Sequence, residues 1–399
     1  MKLSKRAVAT TPSVTVELNA RVLELKNSGV DIIKFNIGEP DFNTPRPICD
    51  AAKLAMDQGQ TKYTAVPGTA ALRQAIAGKL ERDNHVWYNS SEICVTTGAK
   101  QALFETVMAL AEEGDEVIIP TPCWVSYESM VAIAGAKAVL VPTVEAGENQ
   151  FDLDIPAIER AITPNTRAII INTPNNPTGV VYGEALLREL ADLAIRHGIL
   201  IISDEVYEKL LYNDKCHFSI ASISEEAKQH AVTVNGYSKT YAMTGWRLGY
   251  LAGPKELIKA VSRLQGHITG GTCSISQAAG LAADTGDDDS VEQMRQIFDR
   301  RRQQMLSLCR ELPGVSCREP DGAFYLMPDF SSYYGKRAGE RLIQNSVDLA
   351  GYLLEEAHVA VVPGDGFRAP NCLRLSYSTS EACIEKGMGQ IRAALEKLQ

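Results

Sequence analysis

Six short, near-continuous apolar runs set the frame within which this chain can fold: EICVTT (92–97), DEVIIP (115–120), AKAVLVP (136–142), TRAIIIN (166–172), GILIISD (198–204) and HAVTVN (230–235). Most are separated by segments of helical length. In TAALRQAIAGKLERDN (69–84), Leu72, Ala75, Ile76 and Leu80 share one helical face and Thr69 is placed as the N-cap. Strands apolar on both faces need cover on both faces. Alternation with helices therefore predicts an α/β fold with a mainly parallel, doubly covered sheet.

After residue 285 the texture changes. A long charged helical stretch, VEQMRQIFDRRRQQMLSLCREL, precedes AFYLM, a helix near 346–357, HVAVVP, CLRLSY and a final helix. This pattern predicts a smaller α+β module, with the acidic run DTGDDDS (284–290) as the hinge into it. The expected division is a large domain over 46–285 and a small domain formed by 1–45 and 286–399.

A length of 399 residues is sufficient for two such cores. A formal charge of −9 argues against a sequence-independent nucleic-acid binder, which needs a basic face. The nine cysteines are scattered without a CxxC pair, which favours free thiols over disulfides or zinc. The six histidines form no HxxxH pattern, so no metal is expected. No apolar run approaches the roughly 18 residues that would cross a bilayer, and the N-terminus lacks a continuous apolar stretch. No membrane association and a cytoplasmic location are expected.

Neither GxGxxG after a strand nor GxxxxGK[ST] is present, so the strand ends serve something other than NAD or ATP. In open parallel sheets, ligands lie beyond the carboxyl ends of the strands. Those ends carry Gly98-Ala99-Lys100, the run NTPNNPTG (172–179), Asp204-Glu205-Val206-Tyr207 and Lys239. Each has an ordinary reading when taken singly. Gly-Ala opens a helix, NNPTG makes a turn, an aspartate caps a helix, and a lysine among aromatics snorkels. Together they offer a helix N-terminus, an amide cluster, an acid–phenol pair and an amine.

The stretches KFNIGEPDFNTP (34–45), YTAVPGTAALR (63–73), NTPNNPTG, SDEVY (203–207), VNGYSKTYAMTGWRLGY (234–250) and RLSYSTS (374–380) occur in this order. In this combination the chain resembles the class I pyridoxal-phosphate aminotransferases of fold type I, and within them the prokaryotic-type aspartate aminotransferase subgroup. The resemblance covers the chain from about residue 10 onward. It implies pyridoxal 5'-phosphate as cofactor and a homodimer with shared active sites.

It also implies roles for residues. Lys239 holds the cofactor covalently and then shuttles a proton, which needs an amine whose pKa is depressed by burial and cations. Asp204 keeps the pyridine nitrogen protonated. Tyr207 and Asn176 bond the ring's phenolic oxygen, and Trp124 stacks on the ring. The phosphate is met by Gly98 and the amides of Ala99 and Lys100 at a helix N-terminus, by Ser238, by the Arg247 fork and by Tyr63 of the neighbouring subunit. Many relatives place a hydroxyl three residues before the lysine, where this chain has Gly236.

The substrate α-carboxylate falls to Arg374, aided by Gly38, Asn176 and Trp124; the ordinary alternative for Arg374 is a buried Arg–Glu pair. Lys100, with Ser13 and Thr15, points to a second carboxylate on the substrate. A solvent-facing lysine is the ordinary reading of Lys100. The expected activity is ping-pong transfer from L-aspartate to 2-oxoglutarate (EC 2.6.1.1). Prephenate, aromatic or alanine aminotransferases, C–S lyases and aminocyclopropane-carboxylate-type synthases of the same fold stand as alternatives. A ligand-sensing regulator is disfavoured, because residues 1–30 are too short for a helix-turn-helix domain with its linker.

Overall fold

A computed structural model describes residues 1, 3, 4, 7, 8, 14–146 and 149–399. All six apolar runs become strands of one seven-stranded sheet. They are β1 (Ile93–Thr96), β2 (Glu116–Thr121), β3 (Lys137–Pro142), β4 (Thr166–Asn172), β5 (Leu200–Asp204) and β6 (Ala231–Gly236), joined by β7 (Gly249–Ala252). Their order is β1-β7-β6-β5-β4-β2-β3. Every pairing is parallel except those of β7, which runs antiparallel to both β6 and β1. Only β7 escaped the sequence reading. Its four residues follow the Trp246-Arg247 turn too closely to show a run of their own.

Successive side chains of a strand point to opposite faces, so a doubly covered sheet needs apolar residues at both parities. Ile93, Val95, Ile118, Ile169, Ile171 and Ile201 pack on one face with Leu72, Ile76 and Leu80 of helix α1 (Ala70–Asn84). Cys94, Val117, Ile119, Ile170, Ile202 and Val234 pack on the other with Leu103 and Val107 of α2 (Ala99–Leu110). Thr69 caps α1 as expected, its hydroxyl accepting from the Leu72 amide at 3.4 Å. Each fully buried Ile or Leu contributes about 1.5–3 kcal/mol.

A separate apolar core gathers Phe35, Phe298, Phe324, Tyr325, Leu349, Leu373, Leu375 and Ile391. Residues Ile33–Lys34 pair in parallel with Val359–Ala360, which ties the early chain to this C-terminal module. The strand Leu373–Ser376 lies between Tyr325–Leu326 and Val362–Pro363, with Arg374 opposite Val362. The long charged stretch forms helix α3 (Asp289–Arg310), which buries Met294, Phe298, Met305 and Cys309. Asp284, the first residue of the run expected to be the hinge, is buried and accepts from the Tyr237 hydroxyl at 2.5 Å.

All nine cysteines are free; Cys94, Cys123, Cys309 and Cys372 are buried, whereas Cys216 and Cys273 are exposed. No helix among the described residues is long and apolar enough to cross a membrane.

Candidate active site

The carboxyl ends of β1, β4, β5 and β6 open into a cleft of about 420 Å³, closed on the far side by Asn36–Glu39, Tyr325 and Arg374. Its lining includes Gly38, Ala99, Lys100, Trp124, Asn176, Asp204, Tyr207, Ser238, Lys239, Arg247 and Arg374, from strand ends far apart in sequence. Lys100, Lys239, Arg247 and Arg374 face only the carboxylates of Asp204 and Glu39 there, so a protein of net charge −9 holds a locally positive cleft. Such a site suits an anionic ligand.

Lys239 sits in the single helical turn Tyr237–Thr240 that follows β6. Its Nζ donates to the Gly38 carbonyl at 2.5 Å and stands 5.9 Å from the rings of Tyr207 and Phe324. Burial, with Arg374 and Arg247 adding to it, pulls the amine down to about 8. Desolvation penalises the charged form, so a usable fraction is a neutral nucleophile near pH 7.

Asp204 ends β5 and is buried, with Oδ2 accepting from the Tyr127 hydroxyl at 2.7 Å. Burial pushes this carboxyl up to about 6, opposed by the Tyr127 hydroxyl, the Val206 amide and the Lys239 charge. Glu205, next in the chain, points away from the cleft. It accepts from Ser203 and Ser219 and faces His217 Nε2 at 2.9 Å, which anchors the segment after β5.

Arg374 is 3% exposed and meets no carboxylate among the described residues, so the Arg–Glu alternative does not hold. Its Nη1 donates to Asn176 Oδ1 at 3.0 Å and Nη2 to the Asn36 carbonyl at 3.1 Å, while Nε has no partner. The guanidinium lies 4.4 Å from the Tyr325 ring and 5.0 Å from that of Phe367. A buried cation supported only by neutral acceptors and rings is poised for a carboxylate. The backbone amide of Asn176 is held by Asn172 Oδ1 at 2.7 Å.

The Tyr207 hydroxyl bonds that of Tyr325 at 2.9 Å, and burial raises its pKa, so it remains a neutral phenol. Trp124 packs edge-on against Tyr127 at 5.4 Å, with the Lys100 ammonium 4.8 Å from its ring. Burial and the neighbouring Arg247 lower the pKa of Lys100.

At the other end, Gly98 caps α2 with φ of +80° and leaves the Ala99 and Lys100 amides without intrahelical acceptors. A Cβ on Gly98 would lie 2.5 Å from Arg247 Nη2, so glycine is what lets the guanidinium pack over the helix terminus. Gly236 has a steric explanation as well. It pairs with Gly249 across β6 and β7, and a Cβ there would sit 3.1 Å from both Gly249 Cα and the Leu248 carbonyl. A serine or threonine at 236 would therefore press on the backbone of β7.

Tyr63 is fully exposed and lies outside this cleft. Ser13 and the side chain of Thr15 lie outside the described residues. Tyr127 and Tyr325 escaped the sequence reading. Tyr127 stands three residues after Trp124 and resembles ordinary core, and Tyr325 lies in the short apolar run AFYLM, so neither carries a signal of its own.

The chain matches the family of class I and II aminotransferases over residues 30–391. It belongs to that family. An aspartate aminotransferase of Bacillus subtilis is 46% identical over 398 residues, covering both chains completely. A probable aspartate/prephenate aminotransferase of Aquifex aeolicus is 43% identical over 99% of both. Among solved structures, the aspartate aminotransferase of Rhizobium meliloti superposes with a TM-score of 0.96 at 40% identity over 100% of both chains. That of Thermus thermophilus with maleate gives 0.93 at 42% identity, covering 99% of this chain and 100% of its own.

The cofactor of this aminotransferase is pyridoxal 5'-phosphate. The cleft fits it. It has a buried amine of lowered pKa, a buried carboxylate whose Oδ1 meets, among the described residues, only a 3.4 Å contact from the Val206 amide, and a helix terminus beneath an arginine.

Proposed function

We propose that this aminotransferase moves the amino group of L-aspartate to 2-oxoglutarate, giving oxaloacetate and L-glutamate. The observation that carries this reading is a pair of cations in one cleft, Arg374 and Lys100, neither with a carboxylate partner among the described residues. A dicarboxylic amino acid answers both. The name of the Bacillus subtilis relative and the maleate in the Thermus thermophilus structure support the same substrate class.

Pyridoxal phosphate supplies an aldehyde carbon that takes up an amine and a cationic ring that withdraws electrons. The Ala99 and Lys100 amides, Ser238 and Arg247 hold its phosphate. Asp204 holds the proton on its ring nitrogen, and the Tyr127 hydroxyl keeps that carboxylate oriented. Tyr207 and Asn176 would bond its phenolic oxygen, and Trp124 would cover one ring face. Lys239 would anchor the group covalently and, once free, would carry the proton taken from the substrate Cα. Arg374, with Asn176 and the Gly38 backbone, orients the α-carboxylate so that the Cα proton faces this amine.

The unit spanning 46–285 carries the cofactor, and residues 1–45 with 286–399 close over the substrate and exclude water. Tyr63 of one protomer reaches the phosphate of its partner in a homodimer. Full exposure of a tyrosine that shares a surface groove with the exposed Leu54 supports this assembly. The chain is expected to elute as a dimer, with Tyr63→Phe weakening cofactor binding about threefold to tenfold. A monomer that binds the cofactor tightly would refute the shared site.

Substrate class is tested with Lys100→Leu. Loss of one charge-assisted contact predicts a fall in kcat/KM for aspartate of about 10- to 100-fold. Activity with alanine or phenylalanine should stay within about threefold, since neither offers a second carboxylate. Equal losses for all donors would remove the role given to Lys100. Prephenate also carries two carboxylates, and the Aquifex aeolicus name makes it the second acceptor for the panel.

A further inference from the structure

Behind the helix terminus of α2 lies a hydrogen-bonded chain whose members do not line the cleft. Gln101, in the first turn of α2, reaches back so that its Oε1 accepts from the Thr97 amide at 2.9 Å. Its Nε2 donates to Glu105 Oε1 at 2.7 Å and to the Thr269 hydroxyl at 2.8 Å. Glu105 is fully buried, and its Oε2 has no partner among the described residues. The Thr97-Gly98 link is gripped from its other side too. The Gly98 amide donates to the Thr96 carbonyl at 2.8 Å, and the Thr96 hydroxyl to the Gly98 carbonyl at 3.1 Å.

A carboxylate oxygen without a proton accepts only. Glu105 Oε1 therefore requires the NH₂ side of the Gln101 amide, which turns the Gln101 carbonyl oxygen towards Thr97. Burial pushes the Glu105 carboxyl up to about 7, against the pull of Gln101. The arrangement is indifferent to that titration, because a proton on the free Oε2 leaves Oε1 accepting. A buried acid with one unused oxygen costs stability and is not explained by packing.

We propose that Gln101, held in one orientation by Glu105, is a positioning residue that fixes the Thr97–Lys100 backbone so that the Ala99 and Lys100 amides point at the cofactor phosphate. This rests on the cofactor placement proposed above. The strap acts on the phosphate alone, so its loss distinguishes pyridoxal phosphate from pyridoxal, which carries the same ring and aldehyde.

The test is the affinity of the full chain, freed of cofactor, for each of the two compounds. Gln101→Met keeps length and helix propensity without hydrogen bonds, and Gln101→Ala repeats the deletion with a smaller side chain. Each is expected to weaken pyridoxal phosphate about tenfold relative to pyridoxal. Glu105→Gln, which retains an acceptor, is expected to keep the ratio within about twofold of the unmutated protein. A general packing defect would weaken both compounds equally, and an unchanged ratio would overturn the proposal. Hydrogen exchange on the unmutated protein is a second measure needing no variant. The Thr97 amide should be protected without cofactor, and free exchange there would equally overturn the strap. If the unmutated chain bound neither compound, the cofactor placement itself would fail, which is a different result.

Discussion

Lys239→Ala is expected to leave a folded protein that cannot hold pyridoxal phosphate covalently and transaminates at least about ten-thousand-fold more slowly. Two functions would be lost at once, because the proposed role has the same Nζ anchor the cofactor and carry the proton. Borohydride treatment followed by peptide mass analysis should place the label on Lys239 in the unmutated chain and nowhere in the variant. Label retained elsewhere would show that another amine does the work. The pH dependence has a definite sign. Only the neutral amine attacks, and its pKa is lowered to about 8. The rate of covalent capture by the cofactor-free chain should therefore rise with pH up to about 8 and level off above it, whereas an ordinary lysine would continue rising beyond pH 10. Restoring a small soluble amine to Lys239→Ala should recover proton transfer but not attachment, which separates the two roles.

Arg374→Leu is expected to lower kcat/KM about a thousandfold for every amino donor, since all carry an α-carboxylate. The guanidinium is buried with Nε unpartnered and only neutral acceptors on its other nitrogens. An incoming carboxylate completes a bidentate pair where water is excluded, so the interaction is worth more than at a surface. Lys100→Leu acts on one substrate class, whereas Arg374→Leu acts on all. Thermal stability of the substrate-free chain should change little. Removing a buried, unpaired charge is favourable and offsets the donors lost to Asn176 and the Asn36 carbonyl. A donor-specific loss, or unfolding in place of lost activity, would contradict the role.

The six apolar strands, their parallel pairing and the cap at Thr69 were legible in the chain because they follow from local patterning. A strand apolar at both parities admits few environments. Lys239, Asp204, Asn176 and Lys100 were legible for a related reason: each is polar where a buried strand ends, and the carboxyl ends of parallel strands converge. Strand β7 was not legible, since a four-residue antiparallel insertion depends on the partner edges of β6 and β1. The glycine at 236 also became intelligible only through that insertion. Its reason is the backbone of Gly249, brought opposite by register.

Sequence by itself thus determined the sheet, the family and the set of reactive groups, because periodicity and residue type are properties of short segments. Only the tertiary structure decided their chemical state. It stripped water from Lys239 and Arg374, gave Asp204 the Tyr127 hydroxyl, gave Tyr207 the Tyr325 hydroxyl, and set Gln101 between Thr97 and Glu105. Desolvation and hydrogen bonding depend on neighbours many residues away, and folding alone brings those neighbours together.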